Sequence, residues 1–350
     1  MDREKIIEAF SFLGEFMTQF QSAETQKKDL ALNEAFYEVF SSAIYTAKTH
    51  NGWFEEKQVR RAIFSISQWL NKEMLDRWSS VYPWNKRSKK IAIIMAGNIP
   101  LVGFHDFACV LLSGNHLLVK LSSEDKILLP LIAKILISLN PEFQVKIEFT
   151  ESRMQDFDAI IATGSDNTSR YFQHYFGKYP HIIRKNRNSI AVLSGRESKE
   201  ELIALGDDIF AYYGLGCRNV SKVYVPKGYK FDSLFEALYE YKDVADNNKY
   251  ANNFDYYRAL FLMGGNDMLE NGFLLLREDK SLASPISMLH YEVYDCIDAL
   301  QKELDSKSDQ IQCLVSQLDI PKSFELGQAQ SPAVSDYADG VDTMAFLTSL

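Results

Sequence analysis

The run Ile91-Ala92-Ile93-Ile94-Met95-Ala96, closed by Gly97, limits the fold more than any other stretch of this chain. It has no polar face, which is the pattern of a strand covered on both sides in a parallel sheet. Beyond it, helix and strand patterns alternate. A helix is predicted over Leu101 to Leu112, ended by Gly114-Asn115, then a strand over His116 to Leu121 and a helix over Lys126 to Leu139. Further strands are predicted at Gln144 to Phe149 and Ala159 to Ala162. Strand alternating with helix predicts a doubly wound α/β sheet. A second α/β unit starts near Ser189-Ile190-Ala191-Val192-Leu193. Residues 1 to about 80 read as helices: Phe36, Val39, Phe40 and Ile44, and then Val59, Ile63, Ile66 and Leu70, recur at helical spacing. The expected class is α/β, two doubly wound domains behind a helical N-terminal region.

A chain of 350 residues has room for two such domains. Its 46% hydrophobic and 24% charged content are those of an ordinary soluble protein. The net charge of −9 and the absence of a basic stripe argue against nucleic-acid binding. Arg60-Arg61 and Lys86-Arg87 with Lys89-Lys90 are short clusters that read as solvated surface. Cys109, Cys217, Cys296 and Cys313 are widely spaced without a CxxC pair, which argues against a disulfide framework or a zinc site and suits a reducing cytoplasm. No metal is expected. The N-terminus has no apolar core of signal-peptide type. The stretch Ile127 to Leu139, which contains Pro130 and Lys134, is too short to span a bilayer.

Five segments carry candidate chemistry. Cys217 lies in Tyr213-Gly214-Leu215-Gly216-Cys217-Arg218-Asn219-Val220, between a helix and a strand. The helix is announced by the capping-box spacing of Ser198 and Glu201, and the strand runs from Ser221 to Val225 before Pro226. A thiol on such a junction has backbone N–H groups near it and room for a substrate; the alternative is a packed core cysteine. Asn98, in Ala96-Gly97-Asn98-Ile99-Pro100, closes the first buried strand and fits either a donor into the sheet-edge crevice or a helix N-cap. Lys120 with Ser122 and Ser123 ends the second strand, where ammonium and hydroxyls can bind phosphate or ribose. The plainer alternative there is a snorkelling lysine and a simple cap. Ala162-Thr163-Gly164-Ser165 opens a helix from a small-residue turn, and Arg184-Lys185-Asn186-Arg187-Asn188-Ser189 precedes the strand of the second unit.

In this order the segments resemble the aldehyde dehydrogenase superfamily, and most closely its acylating branch, the long-chain acyl-CoA reductases of the LuxC (bioluminescence fatty-acid reductase) type. The resemblance covers about residues 85 to 350. The family's PWN-P segment matches Ala96 to Pro100 and places the oxyanion-hole asparagine on Asn98. Its GN-x-x-x-x-K matches Gly114, Asn115 and Lys120, and its F-T-G-S matches Ala162 to Ser165. Its G-Q-x-C-x-x-x-S-R-x-x-V matches Gly214 to Cys217 through Ser221, Lys222 and Val225. The resemblance implies an aldehyde-dehydrogenase-like fold with a cofactor domain, 1–188, and a catalytic domain, 189–326. A C-terminal return segment, 327–350, would be a candidate oligomerisation element. It implies Cys217 as nucleophile, Asn98 as oxyanion donor, and Lys120, Ser122, Ser123, Gly164 and Ser165 as cofactor contacts. It also implies a homo-oligomer, and the bioluminescence relatives receive acyl groups from an activating partner enzyme.

Three departures from the family pattern are informative. Hydrolytic members carry a water-activating glutamate in E-L-G-G-K-S; aligning its serine with Ser189 puts Arg184 there, 33 residues before the nucleophile (217 − 184). Arginine is no base at neutral pH, so the acyl-enzyme would exchange with a thiol such as CoA rather than hydrolyse. Ser123 replaces an acidic ribose-binding residue and Lys126 lies close in sequence, which favours NADPH; Glu124 is compatible with NADH. The family's E-I-F-G-P falls at Ser281-Leu282-Ala283-Ser284-Pro285, without its glutamate. The expected activity is NADPH-dependent reduction of an acyl thioester, a fatty acyl-CoA, to the aldehyde with CoA leaving. The rivals are an acyl-phosphate reductase of the glutamyl-phosphate type and a non-catalytic acyl-transfer scaffold.

Overall fold

The computed structural model describes residues 1–84 and 87–350, the side chain of Asp166 excepted. Lys86 of the basic cluster lies outside the described residues. The chain divides into two compact units, Met1–Lys185 with Ala333–Leu350, and Asn186–Pro332.

The first unit opens with four helices: α1 (Arg3–Thr18), α2 (Leu32–His50), α3 (Glu56–Trp69) and α4 (Lys72–Ser80). Asp2 caps α1 by accepting from Lys5 N at 3.0 Å. Behind it Ile6, Phe10, Leu13 and Met17 form a buried face at helical period. Then come β1 (Lys90–Ile94), α5 (Phe104–Leu112), β2 (His116–Lys120), α6 (Leu128–Leu139), β3 (Ile147–Phe149), β4 (Ala159–Thr163), α7 (Asp166–Phe176) and β5 (His181–Arg184). The strands are all parallel, in the order β3-β2-β1-β4-β5. Their apolar runs are explained by two-sided cover. Ile91, Ile93, Leu117, Val119, Ala159 and Ile161 join the large core formed with α1, α5 and α6. Ala92, Leu118, Ile160 and Ala162 point the other way, to Phe157, Phe172 and Phe176.

Several boundaries differ from the sequence reading. The helix expected from Leu101 begins at Phe104, because Leu101 is left-handed (φ 58°) and the chain turns through Gly103. The strand expected from Gln144 begins at Ile147, after a 3₁₀ turn over Pro141–Val145. That turn is started by Asn140, which accepts from Glu142 N, and by Pro141.

The second unit contains β6 (Asn188–Val192), α8 (Lys199–Phe210), β7 (Val220–Pro226), α9 (Asp232–Leu238), α10 (Asn248–Met263), β8 (Leu269–Glu270), β9 (Leu275–Glu278), β10 (Met288–Tyr294), α11 (Ile297–Ser306) and β11 (Ile311–Ser316). Its sheet order is β11-β6-β7-β10-β9-β8, parallel except for β8 on β9. The capping box is present: Ser198 Oγ accepts from Glu201 N at 3.2 Å, and Glu201 Oε2 accepts from Ser198 N at 2.7 Å. The stretch 327–350, read as one return segment, is shared between the units at 332/333. Gly327 and Ala329 bond to Asp208, while Val334 and Thr343 bond to His105 and Arg184.

Candidate active site

In the first unit β1 pairs with β2 on one side and β4 on the other, so the strand order reverses beside β1. Ligands of open α/β sheets bind at the carboxyl edge at that point. Asn98 lies there, exposed, in the turn leaving β1. It is not the helix cap, since Gly103 holds the N-cap position of α5. The turn is tightly seated. A Cβ on Gly97 would come within 2.5 Å of Ser122 Oγ and 3.0 Å of Glu124 Cβ, so only glycine allows this approach. Leu101 N donates to Asp125 Oδ2 at 2.7 Å. Burial pushes the Asp125 carboxyl up to about 6, against the opposing pull of that N–H.

Lys120 ends β2 in register with Ile94, and its Nζ donates to Ser152 O at 3.2 Å. Ser122 is half-buried and accepts from Glu124 N at 3.2 Å, while Ser123 is exposed. After β4, Ser165 caps α7 by accepting from Thr168 N at 3.3 Å. Gly164 runs against that helix; a Cβ there would meet Thr168 and Phe172 at 3.0 Å. One ammonium, three hydroxyls and a helix N-terminus on one sheet edge suit a phosphorylated ribose ligand. By contrast, the cavity of about 680 Å³ lined by Met154, Phe157, Tyr175 and Tyr179 lies toward the carboxyl end of α7.

In the second unit the Cys217 junction is strained. After α8 the backbone passes through Tyr212 (φ 50°), Tyr213 (φ 59°) and Gly214 (φ 79°), three successive left-handed residues. Each tyrosine costs about 1–2 kcal/mol there, and such strain gathers at functional sites because surrounding contacts must enforce it. Those contacts are visible. Both tyrosines are buried. Asn219 Oδ1 accepts from Gly216 N at 2.8 Å, and its Nδ2 donates to the carbonyls of Asp208, Ile209 and Ala211 at 3.1, 3.3 and 2.8 Å. Ser189 Oγ donates to Cys217 O at 2.9 Å. The thiol at the centre is exposed. Cys109 and Cys313 are buried, and burial pushes both thiols up, away from the reactive thiolate.

Asn219, Ser189 and Asp208 support this junction, and sequence reading missed that role. Asn219 had a faint signal, two residues after the cysteine; Asp208 had none, because its partners lie over a hundred residues away. The Ser281–Pro285 segment and Lys280 before it are held by the half-buried Ser221 and the buried Lys222 and His290: Ser221 Oγ donates to Leu282 O at 2.7 Å, Lys222 Nζ to Lys280 O at 3.0 Å, and His290 Nδ1 lies 3.1 Å from Ser281 O.

Arg184 ends β5 with 6% exposure. Its Nη1 donates to Asp106 Oδ2, and its Nη2 donates to Asp106 Oδ1 at 2.8 Å and to Thr343 Oγ1 at 3.0 Å. Its guanidinium therefore ties β5 to α5 and to the short C-terminal helix Thr343–Thr348.

A family model described as acyl-CoA reductase (LuxC) matches residues 3–238. The chain belongs to the LuxC acyl-CoA reductase family. It is accordingly an oxidoreductase whose reaction is reduction of an acyl group to the aldehyde. A comparison with curated proteins returns no match. Solved structures of aldehyde dehydrogenases share the fold. Aldehyde dehydrogenase 21 from Physcomitrella patens, in complex with the product succinate, is 11% identical at a TM-score of 0.66, covering 100% of this chain and 84% of that one. A Mycobacterium tuberculosis aldehyde dehydrogenase complexed with NAD+ gives 13% and 0.64 over 94% and 76%. An NAD-dependent benzaldehyde dehydrogenase from Corynebacterium glutamicum gives 14% and 0.63 over 90% and 76%. Among the described residues, no helix is long and apolar enough to cross a membrane, and no cluster of three His, Cys, Asp or Glu could hold a metal.

Proposed function

We propose that this LuxC-family reductase converts a fatty acyl-CoA to the aldehyde through a thioacyl-enzyme on Cys217, using NADPH. The observation that carries the reading is the exposed thiol held on a strained, hydrogen-bonded turn. Cys217 as thiolate attacks the thioester carbonyl, and the electron pair moves to oxygen. The Cys217 N–H and the Asn98 carboxamide are the proposed donors to that oxyanion. Its collapse expels CoA thiolate and leaves the acyl group on Cys217. A bound nicotinamide cofactor would supply the two electrons and hydrogen that reduce the acyl carbon; Cys217 holds the carbon as a thiohemiacetal until its C–S bond breaks, freeing the aldehyde and restoring the Cys217 thiolate. Lys120, Ser122, Ser123, Gly164 and Ser165 would hold the cofactor, as the donor set on that sheet edge suits. NAD+ is bound in several aldehyde dehydrogenases of this fold; the exposed Ser123 and Lys126, with no carboxylate at 123, favour the 2′-phosphate of NADPH. A homo-oligomer is part of the proposal.

Arg184 is committed to Asp106 and Thr343 and supplies no base. The acyl-enzyme should therefore persist in water. Loaded with palmitoyl-CoA in the absence of NADPH, the enzyme should retain label on protein, return it promptly to added CoA, and release little fatty acid. Rapid stoichiometric hydrolysis would show that another base operates and would overturn the reading.

Asn98→Ala should lower kcat by about 10²–10³-fold, the cost of one oxyanion donor, with the KM for NADPH unchanged. Steady-state kinetics decide it: wild-type turnover in the variant removes Asn98 from the mechanism.

A further inference from the structure

We propose that Asp208 is a positioning residue that fixes the nucleophile turn by clamping the distant segment Gly327–Gln330 against it. This rests on the reading of Cys217 as the nucleophile.

Asp208 lies on the last turn of α8 and is fully buried. Its carboxylate accepts two backbone hydrogen bonds from the far segment, from Gly327 N at 2.6 Å and Ala329 N at 2.8 Å. Its backbone carbonyl accepts from Asn219 Nδ2 at 3.1 Å and from Gln330 Nε2 at 3.4 Å. The clamped segment then reaches the nucleophile turn directly. Ala329 O accepts from Arg218 Nε, and Gln330 Nε2 donates to Arg218 O at 3.0 Å. Asn219 completes the circuit through Gly216 N at 2.8 Å. The residues on either side of Cys217 are thus held by groups that answer to Asp208, while the thiol is left exposed.

The segment is fitted to this position. Gly327 is left-handed (φ 85°), and a Cβ there would come within 2.8 Å of Ala204 Cβ on α8. A buried carboxylate aimed at two amides of an otherwise irregular segment is costly unless those bonds are made. It is therefore a specific fastening and not incidental packing. No atom of Asp208 has a place in the chemistry, so its effect must pass through the turn.

The clamp also titrates. Burial raises the Asp208 carboxyl to about 7, against the two N–H bonds, with Asp207 adding to the rise and Arg218 opposing it; the buried Cys313 thiol is the other titratable group facing this cluster. Protonation places a donor where two N–H groups need acceptors. The clamp therefore forms as the pH rises through about 7 and is lost as it falls through the same range.

The test uses the full chain with Asp208→Asn, which keeps the size and loses the charge. Single-turnover acylation by palmitoyl-CoA should slow on the order of 10–100-fold at pH 8, with the KM for acyl-CoA unchanged. The ratio of wild-type to variant rates should fall toward one at pH 6. A ratio that is flat with pH, or near one at pH 8, overturns the proposal. Amide hydrogen exchange over residues 216–219 should quicken in the variant, and an unchanged rate there also overturns it. That readout needs no acyl chemistry: absence of wild-type acylation on Cys217 would defeat the nucleophile reading, while exchange still decides whether Asp208 orders the turn. Should Asp208→Asn not fold, Gln330→Ala removes the direct bond to Arg218 O. It should slow acylation and quicken exchange at all pH values, and wild-type behaviour in both overturns the clamp.

Discussion

Cys217→Ala abolishes both covalent acylation and aldehyde formation, and leaves the protein folded: this is the largest effect expected of any single substitution. The side chain is exposed, so its removal empties no core and should move stability by no more than about 0.5 kcal/mol. The turn that carries it is held by backbone and by Asn219 and Ser189, none of which the substitution touches. Cys217→Ser should be equally inactive, because a hydroxyl without an adjacent base is a poor nucleophile. Tritiated acyl-CoA should label the peptide containing Cys217 in the wild type and nothing in either variant. Label on Cys296, the other exposed cysteine, would remove the assignment.

The second large effect is on stability. Arg184→Gln leaves Asp106 buried at 5% exposure without a counter-charge and takes a donor from Thr343. Breaking a buried pair from one side costs about 3–5 kcal/mol, or roughly 10 °C in Tm for a domain of this size. Arg184→Glu should be worse, since it sets two carboxylates against each other in the core. Although glutamate is what hydrolytic members of the superfamily carry at the position aligned with Arg184, placing it here is a test of folding. Arg184→Met with Asp106→Leu should recover much of the loss, because an apolar pair of similar volume removes the buried charge altogether. Thermal melts of the three variants decide this. Arg184→Gln within about 1 kcal/mol of the wild type would show that the core tolerates Asp106 without its partner and would overturn this prediction.

Strands β1, β2, β4 and β7 and the capped start of α8 were legible in the sequence because each is specified locally. A two-faced apolar run, a capping box at fixed spacing and a stop at glycine or proline need no distant partner to be read. The exposed candidates at the sheet edge could also be proposed from sequence, since a strand-to-helix junction places its residues wherever the sheet puts its carboxyl edge.

Local pattern was thus enough for the class of fold, for β1 to β4 with β6 and β7, and for the motif that carries Cys217; β5 and β8 to β11 were not read from the sequence. What each polar residue faces depended on folding. Asn98 could be a cap or a donor, and the cap reading fell only once Gly103 was found at the N-cap of α5. Arg184 could stand at a catalytic position until Asp106 and Thr343 were found against it, 78 and 159 residues away. Asp208 carried no signal at all, because its meaning lies in two amides about 120 residues downstream. Apolar periodicity is written in neighbours along the chain, but a buried charge is specified by whichever groups folding brings to it.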